Sequence, residues 1–363
     1  MSLSVSAGDI VSVIKKVGAF IDTMAVKGVD RSYIESPEKP WQVILSANIN
    51  QSDLKMTSVI DGKNMFDDSW GDIDLESRIE TGVSAYAGFW VGYRGYGVGY
   101  SRNLSHEKGS VLRFGATGSS YGVNLRIYRF ETDEPPVHFA GYMPEWEEVN
   151  GSYLLDDPIR VRALTLDAFY LFNSKRFSHC AAYDMSVIQR RSAGSLMAGV
   201  RYHHSTIKYD EGLNADFVMY MNDIGKMKHY QVGAGAGYAY NFVPCKGLLV
   251  SAMAMPLLTF FNRIDAWRYH SNFRDIMKRE RENPSDEEEI DFYADDLELT
   301  PIGKEVKYST VTLNIDARLS VTYNIGDWFV SANGQFNRFN FKYDVSSGTL
   351  TDWYVNACIG LRL

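Results

Sequence analysis

Four side chains within one short span are of the types that carry out acyl transfer: Ser192, Ser195, His203 and His204, with Arg201 among them. A serine hydroxyl activated by an imidazole cleaves esters when the two meet within hydrogen-bond reach and a third group orients the ring. On a membrane barrel wall such a pair would make a lipid hydrolase. The spacing opposes it, because along one strand Ser195 and His203 would stand about 26 Å apart at ~3.3 Å per residue. No other residue is marked as a partner. The sequence therefore names no catalytic residue, and the expectation is a protein that is not an enzyme.

The second chemical pattern is a register of charge. Arg113, Arg126, Arg201 and Arg318 alternate with apolar neighbours at period two, and Asp167 and Asp316 do the same, with Glu80 as a further acid and Arg162 near a strand end. Alternation places such residues on the face opposite an oily one. If the oily face meets lipid, Arg113, Arg126, Arg162, Asp167, Arg201, Asp316 and Arg318 are candidates for facing a lumen, where charge meets water or a partner. A salt-bridge network filling a narrow barrel is one reading. An Arg-lined path or pocket for a small anionic or lipidic ligand is the other, since guanidinium presents paired donors to phosphate and carboxylate.

The elements that must position these residues are strands. From Val306 to Asn324, Val311, Leu313, Ile315, Ala317, Leu319, Val321 and Tyr323 fall on one face and Thr310, Thr312, Asn314, Asp316, Arg318, Ser320 and Thr322 on the other. The pattern recurs from Trp41 to the C-terminus, with Ile44 out of place. Trp41, Tyr323, Trp328 and Trp353 stand at or near the ends of apolar rows, as in an aromatic girdle. A soluble β-sandwich is the alternative at the level of one strand. Repetition favours an all-β fold, a single antiparallel transmembrane β-barrel over residues 41–363. The expected strand number is about twelve, with fourteen as the alternative. A raw count of thirteen is odd, and the ambiguous stretches are Thr81–Ser101 and Glu131–Pro158.

Composition narrows the class. Mean hydropathy is negative, aromatic residues make up 13%, and the net charge is −8, which opposes general nucleic-acid binding. The most apolar run, Gly247–Phe261, is broken by Pro256 and is shorter than the roughly 20 residues of a spanning helix. Cys180, Cys245 and Cys358 form no CxxC pair, so neither a metal site nor a disulfide framework is expected, and no cofactor. Residues 1–40 read as a separate N-terminal segment: an opening that resembles the remnant of a signal sequence, an amphipathic helix over Asp9–Met24, and a Pro37/Pro40 linker. Long connections are expected at 61–74, 131–158, 210–229 and 265–305, the last with an acidic run from Asp286 to Glu298. Asn324–Trp328 and Phe242–Gly247 read as tight turns.

One stretch carries a family resemblance. Tyr170-Leu-Phe-Asn173-Ser-Lys-Arg-Phe177-Ser178, followed by Gln189-Arg-Arg-Ser192-Ala-Gly194-Ser195, resembles the central motif of a family of outer-membrane barrels from Bacteroides-type bacteria, known only as a domain of unknown function. Gly28-Val-Asp30-Arg-Ser-Tyr33 and Gly237-Tyr-Ala-Tyr-Asn-Phe-Val243 agree with it. The resemblance implies a location and an architecture and no activity. From the residues themselves, Asn173–Arg176 reads as a turn and Gln189–Ser195 as another, with Gly194 supplying backbone freedom. The sequence thus leads to an integral barrel of a Gram-negative outer membrane, with membrane lipids and the general barrel-assembly machinery as partners. A narrow pore or binding barrel and a non-catalytic structural barrel are both consistent with it.

Overall fold

In the strand Thr312–Ile325 (β16), Leu313, Ile315, Leu319, Val321 and Tyr323 are exposed, while Asn314, Asp316, Ser320 and Thr322 are buried. A sandwich strand would bury the oily row. The inversion is that of a barrel with lipid outside and a polar interior. The structure, a computed structural model, describes residues 28–61, 71–80, 83–105, 108–132, 136–143, 146–155, 158–208, 223–282, 297–309, 311–343 and 346–363, together with Lys16, Thr23, Lys63, Val218 and Met221. Of the helix expected over Asp9–Met24, only Lys16 and Thr23 are described, both helical; the rest, like the acidic run from Asp286 to Asp296, lies outside the described residues.

Twelve strands close the wall: β2 (Trp41–Asp61), β4 (Ser84–Tyr93), β5 (Tyr96–Asn103), β6 (Lys108–Thr117), β7 (Tyr121–Thr132), β10 (Ile159–Leu171), β12 (Ala193–Lys208), β13 (Ile224–Cys245), β14 (Leu248–Ser271), β16, β17 (Trp328–Tyr343) and β18 (Ser346–Arg362). Each is antiparallel to the next, and β18 pairs back onto β2. Thr81–Ser101 resolves into two strands joined by Arg94-Gly95, both at positive φ. Glu131–Pro158 hides a hairpin, β8 (Pro136–Met143) and β9 (Trp146–Leu154), which stays off the wall: it extends a ribbon in which β3 (Asp72–Glu80) pairs with the far half of β2. Similarly, β15 (Leu299–Tyr308) pairs with the far half of β14. The wall number is thus twelve, the expected value, and both ambiguous stretches are resolved.

The two ends differ. At one, tight turns at Arg94-Gly95, Lys246-Gly247 and Gly326-Asp327 join strands, and the wall's termini meet through Trp41 N–H donating to Leu363 O (3.2 Å) and Leu363 N–H to Trp41 O (2.9 Å). The other end carries the ribbons and the helix α2 (Phe273–Glu282) that follows β14. Between them runs the oily exterior. On β13, Tyr240 and Tyr230 bracket Tyr238, Ala236, Ala234 and Val232. Ten residues at ~3.3 Å, tilted ~40°, give a band about 25 Å tall, the height of an outer-membrane hydrocarbon layer.

The interior is filled in three storeys. At the tight-turn end, residues 172–192, which connect β10 to β12, carry a one-turn helix, α1 (Cys180–Tyr183), and the two-residue strand β11 (Ile188–Gln189). β11 pairs with β1 (Ile34–Glu35) from the N-terminal segment. Phe177, Cys180, Ala181 and Ala182 are buried there. Ile44, the exception on β2, points inward and packs on Met185, Phe329 and Cys358. The middle storey is polar. Toward the far end an apolar cluster, including Leu54, Met56, Ile207, Met227, Ile264 and Phe341, fills the lumen.

Candidate functional site

Four charges lock the middle of the barrel. Arg201 of β12 donates Nε–H to Asp167 of the neighbouring β10, Nη2–H to Asp316 Oδ2 across the lumen (2.5 Å) and Nη1–H to Asn337 Oδ1 (3.1 Å). Arg318 donates to Asp316 through Nε (3.1 Å) and Nη2 (2.7 Å) and reaches Asp167 at 3.5 Å. Gln335 adds a donor to Asp316 at 3.2 Å. Asp316 is fully buried and Arg201 is 4% exposed. Two carboxylates and two guanidiniums thus neutralise one another with their hydrogen bonds largely satisfied, the condition under which buried charge is tolerable.

A second pair stands beside the first. Arg126 of β7 meets Asp352 of β18 at 3.4 Å and lies over the rings of Tyr128 and Tyr354 at 4.9 and 5.2 Å. Arg113 of β6 shares the inward register of Val111 and Thr117 and has no acid partner among the described residues. Between this layer and residues 172–192 lies a cavity of about 170 Å³, lined by Arg113, Arg126, Arg318, Asp184, Tyr354 and Asn337 among others. It exceeds tenfold the ~10–15 Å³ that admits one water. Burial pushes the Asp184 carboxyl up to about 6 and the His179 imidazole down to about 3, so that ring, held between the tilted rings of Phe169 and Tyr183, is neutral at ordinary pH.

Not every expected lumen charge faces inward. Arg162 is exposed and shares its face with Leu164 and Leu166, so the structure places it on the outer wall. Glu80 belongs to β3, off the wall. Asp352 was not marked in the sequence, although the alternation of β18 through Asn356 and Tyr354 reaches it. Asp184 and His179 carried no signal, because nothing in a connecting segment says that it enters a lumen.

The motif residues between Tyr170 and Ser195 hold that segment in place. Gln189 Oε1 accepts from Ser178 N–H (3.0 Å) and Asn241 Nδ2 (3.0 Å), and its Nε2 donates to Arg176 O (2.6 Å) and Arg191 O (3.0 Å). Ser178 Oγ accepts from Ala181 N–H at 3.3 Å. Phe177 fills a pocket with Leu171, Met197 and Met253. Asn173–Arg176 is a turn, as expected. Gln189–Ser195 is not: Gln189 is drawn straight by pairing with Ile34, and Gly194 and Ser195 already lie in β12. Gly194 has no positive φ; its missing side chain leaves room for Tyr238, whose hydroxyl would be 2.0 Å from a Cβ there.

The Ser/His set is scattered. Ser195 Oγ accepts from Asn173 N–H (2.9 Å) and donates to Leu196 O (2.7 Å), and Ser192 Oγ accepts from Val243 N–H (2.9 Å). His203 lies inside, 3.0 Å from Thr165 Oγ1 and stacked on Phe339, while His204 points outward onto Tyr230. Among the described residues no three His, Cys, Asp or Glu side chains are placed to hold a metal ion.

Residues 28–361 match the sequence profile of the family described as "Domain of unknown function (DUF4421)". The chain belongs to that family. No curated protein sequence matches it. In solved structures the DUF4421 barrel is similar to the outer membrane protease OmpT from Escherichia coli, with 8% identity and a TM-score of 0.46 over 91% of this chain and 98% of that one. It also resembles the translocator domain of the autotransporter NalP from Neisseria meningitidis (9% identity, TM-score 0.34, the whole of both chains). The outer membrane protein OprG from Pseudomonas aeruginosa is a third (10% identity, TM-score 0.26, 89% of this chain and 96% of that one). The fold itself, a closed antiparallel barrel of twelve strands with an oily exterior, is read from this chain's own strand pairing and burial.

Proposed function

We propose that this barrel resides in the outer membrane, is closed to passive flow, and holds a small anionic ligand in its central chamber. The membrane placement is supported by the exposed oily band with its tyrosine borders, and it carries with it insertion by the barrel-assembly machinery. Closure is supported by the packing of residues 172–192 at one end and the apolar cluster at the other. Binding rests on one observation: Arg113 faces a cavity of about 170 Å³ without a carboxylate of its own, whereas Arg126, Arg201 and Arg318 are each paired. A phosphate or carboxylate there would complete a bidentate guanidinium contact in a low-dielectric site.

The reading is non-catalytic. Ser192 and Ser195 serve backbone amides, and His203 sits eight residues farther along β12 than Ser195. The test is calorimetric titration of the detergent-purified barrel with inorganic phosphate and with short carboxylates, beside the Arg113→Gln variant. Binding by the wild type that falls roughly tenfold or more in the variant, as for loss of one charge-assisted contact, supports the chamber. A steady conductance in planar bilayers, or equal titration by both proteins, overturns it.

A further inference from the structure

The outer wall above the oily band is not uniformly charged. Strand registers place a row of side chains directly opposite one another across seven strands: Lys108, Glu131, Arg160, Lys208, Lys226, Trp267 and Lys304. The next row toward the membrane contains Arg129 opposite Arg162, then Thr206, Lys228 and Asp265. The row after that reads Leu112, Ile127, Leu164, His204 and Tyr230, where the lipid band begins. All point outward, with the parity of Leu166, Tyr202 and Val232.

Two features say that this sector is built to meet an anion. Like charges directly opposite on adjacent strands repel, yet Arg129 faces Arg162, Arg160 faces Lys208, and Lys208 faces Lys226. Of the two described acids in these rows, Glu131 is shared by Lys108 and Arg160, and Asp265 by Arg263 and Lys304. The second feature is Trp267, whose indole is flanked by the ammonium groups of Lys226 (4.6 Å), Lys228 (5.3 Å) and Lys304 (5.5 Å). That holds three cations on an aromatic platform at headgroup height. The opposite wall differs. There Lys55 also faces Arg78, but Arg78 pairs with Asp53 and Lys55 with Glu76, one acid for each base. Among the described residues, this outward sector therefore gathers a row of cations across seven strands.

We propose that the outward face of β6, β7, β10 and β12–β15 is a binding surface for the multiply phosphorylated headgroup of the surrounding outer-leaflet lipid. Phosphates bridge the facing Arg and Lys pairs, and the headgroup sugar rests against Trp267. Arg and Lys reach phosphate as bidentate fork and point charge respectively, and several contacts on one headgroup add through effective concentration. The proposal rests on the membrane placement above and is independent of the chamber.

The test uses the full-length barrel in a zwitterionic detergent. It measures lipid retained through purification, and the temperature at which the gel-shifted form is lost, after exchange into phosphatidylcholine vesicles with or without bisphosphorylated lipid A. The wild type is expected to retain the phosphorylated lipid and to gain heat stability only when it is present. The combined variant Arg129→Gln, Arg162→Gln, Lys208→Gln, Lys226→Gln should lose at least tenfold in retention, while a control on the other wall, Lys55→Gln with Arg78→Gln, should not. Without the lipid, the combined variant should be at least as heat-stable as the wild type, because facing like charges are removed.

Three outcomes overturn the proposal: equal retention by variant and wild type; equal stabilisation by inorganic phosphate at the same phosphorus concentration, which makes the source a free anion; or a loss of stability in the variant without lipid, which means that the chain's own acids occupy the surface. A protein recovered as a soluble monomer without detergent would instead overturn the membrane placement.

Discussion

At Asp316 a fully buried carboxylate accepts from two guanidiniums and an amide, and those donors come from three strands, β12, β16 and β17. Replacing Arg201 with Met leaves Asp167 and Asp316 to share Arg318 alone, an uncompensated charge in the interior. The expected loss is about 3–5 kcal/mol, read from urea unfolding of the detergent-folded barrel. Adding Asp167→Leu restores neutrality, so the double variant should recover most of that loss. At this scale the sequence was informative about face and silent about height. Alternation assigned Asp316, Arg318, Arg201 and Asp167 to the inside. For Arg162 the same alternation points outward with Leu164, and a charge is tolerated there because the strand has left the lipid band. Period two says which side a residue takes, not where the band ends.

Among the elements, residues 172–192 are the least ordinary, since a connection between two wall strands turns back and fills the lumen. Its hold is concentrated in Gln189, which bonds four segments, and in Arg362, whose Nε and Nη2 donate to Met185 O at 3.2 and 2.8 Å. Cys180 within it and Cys358 on β18 are buried, while Cys245 is exposed at a turn. A water-soluble maleimide should therefore label the folded protein at Cys245 alone. Gln189→Ala, which removes several of these bonds, should raise the labelling rate of Cys180 by roughly 10- to 100-fold, as for a local opening eased by about 1–3 kcal/mol. Unchanged protection of Cys180 would show that the segment is held elsewhere. Wall strands were legible because each repeats its apolar face. This segment was not, because its burial depends on meeting Ile34, Asn241 and Arg362, all distant in sequence.

As a whole, the molecule separates wall from ornament. Twelve strands seal on one another, while β3, β8 and β9 extend a ribbon from the far half of β2. Deleting 136–154 should leave a barrel that still shifts on heating in gels and keeps its β circular dichroism, since no wall pairing is lost; failure to insert would show that the ribbon takes part in closure. In the sequence of β9, Glu148, Asn150 and Ser152 alternate on one face and Glu147 and Gly151 on the other, so neither face has the unbroken apolar row of a strand that crosses lipid.

The pairing of β18 with β2 also orders events in time. β2 is the first wall strand in the sequence and β18 the last, so the hydrogen bonds from Ser347–Thr57 down to Arg362–Gln42 cannot form until β18 is present. In the interval one edge of β2 is covered by its near neighbours β4 and β3, and the other waits with its amides and carbonyls unpaired. Until β18 docks, that edge of β2 is open, and the docking of β18 is the step that joins the two ends of the wall.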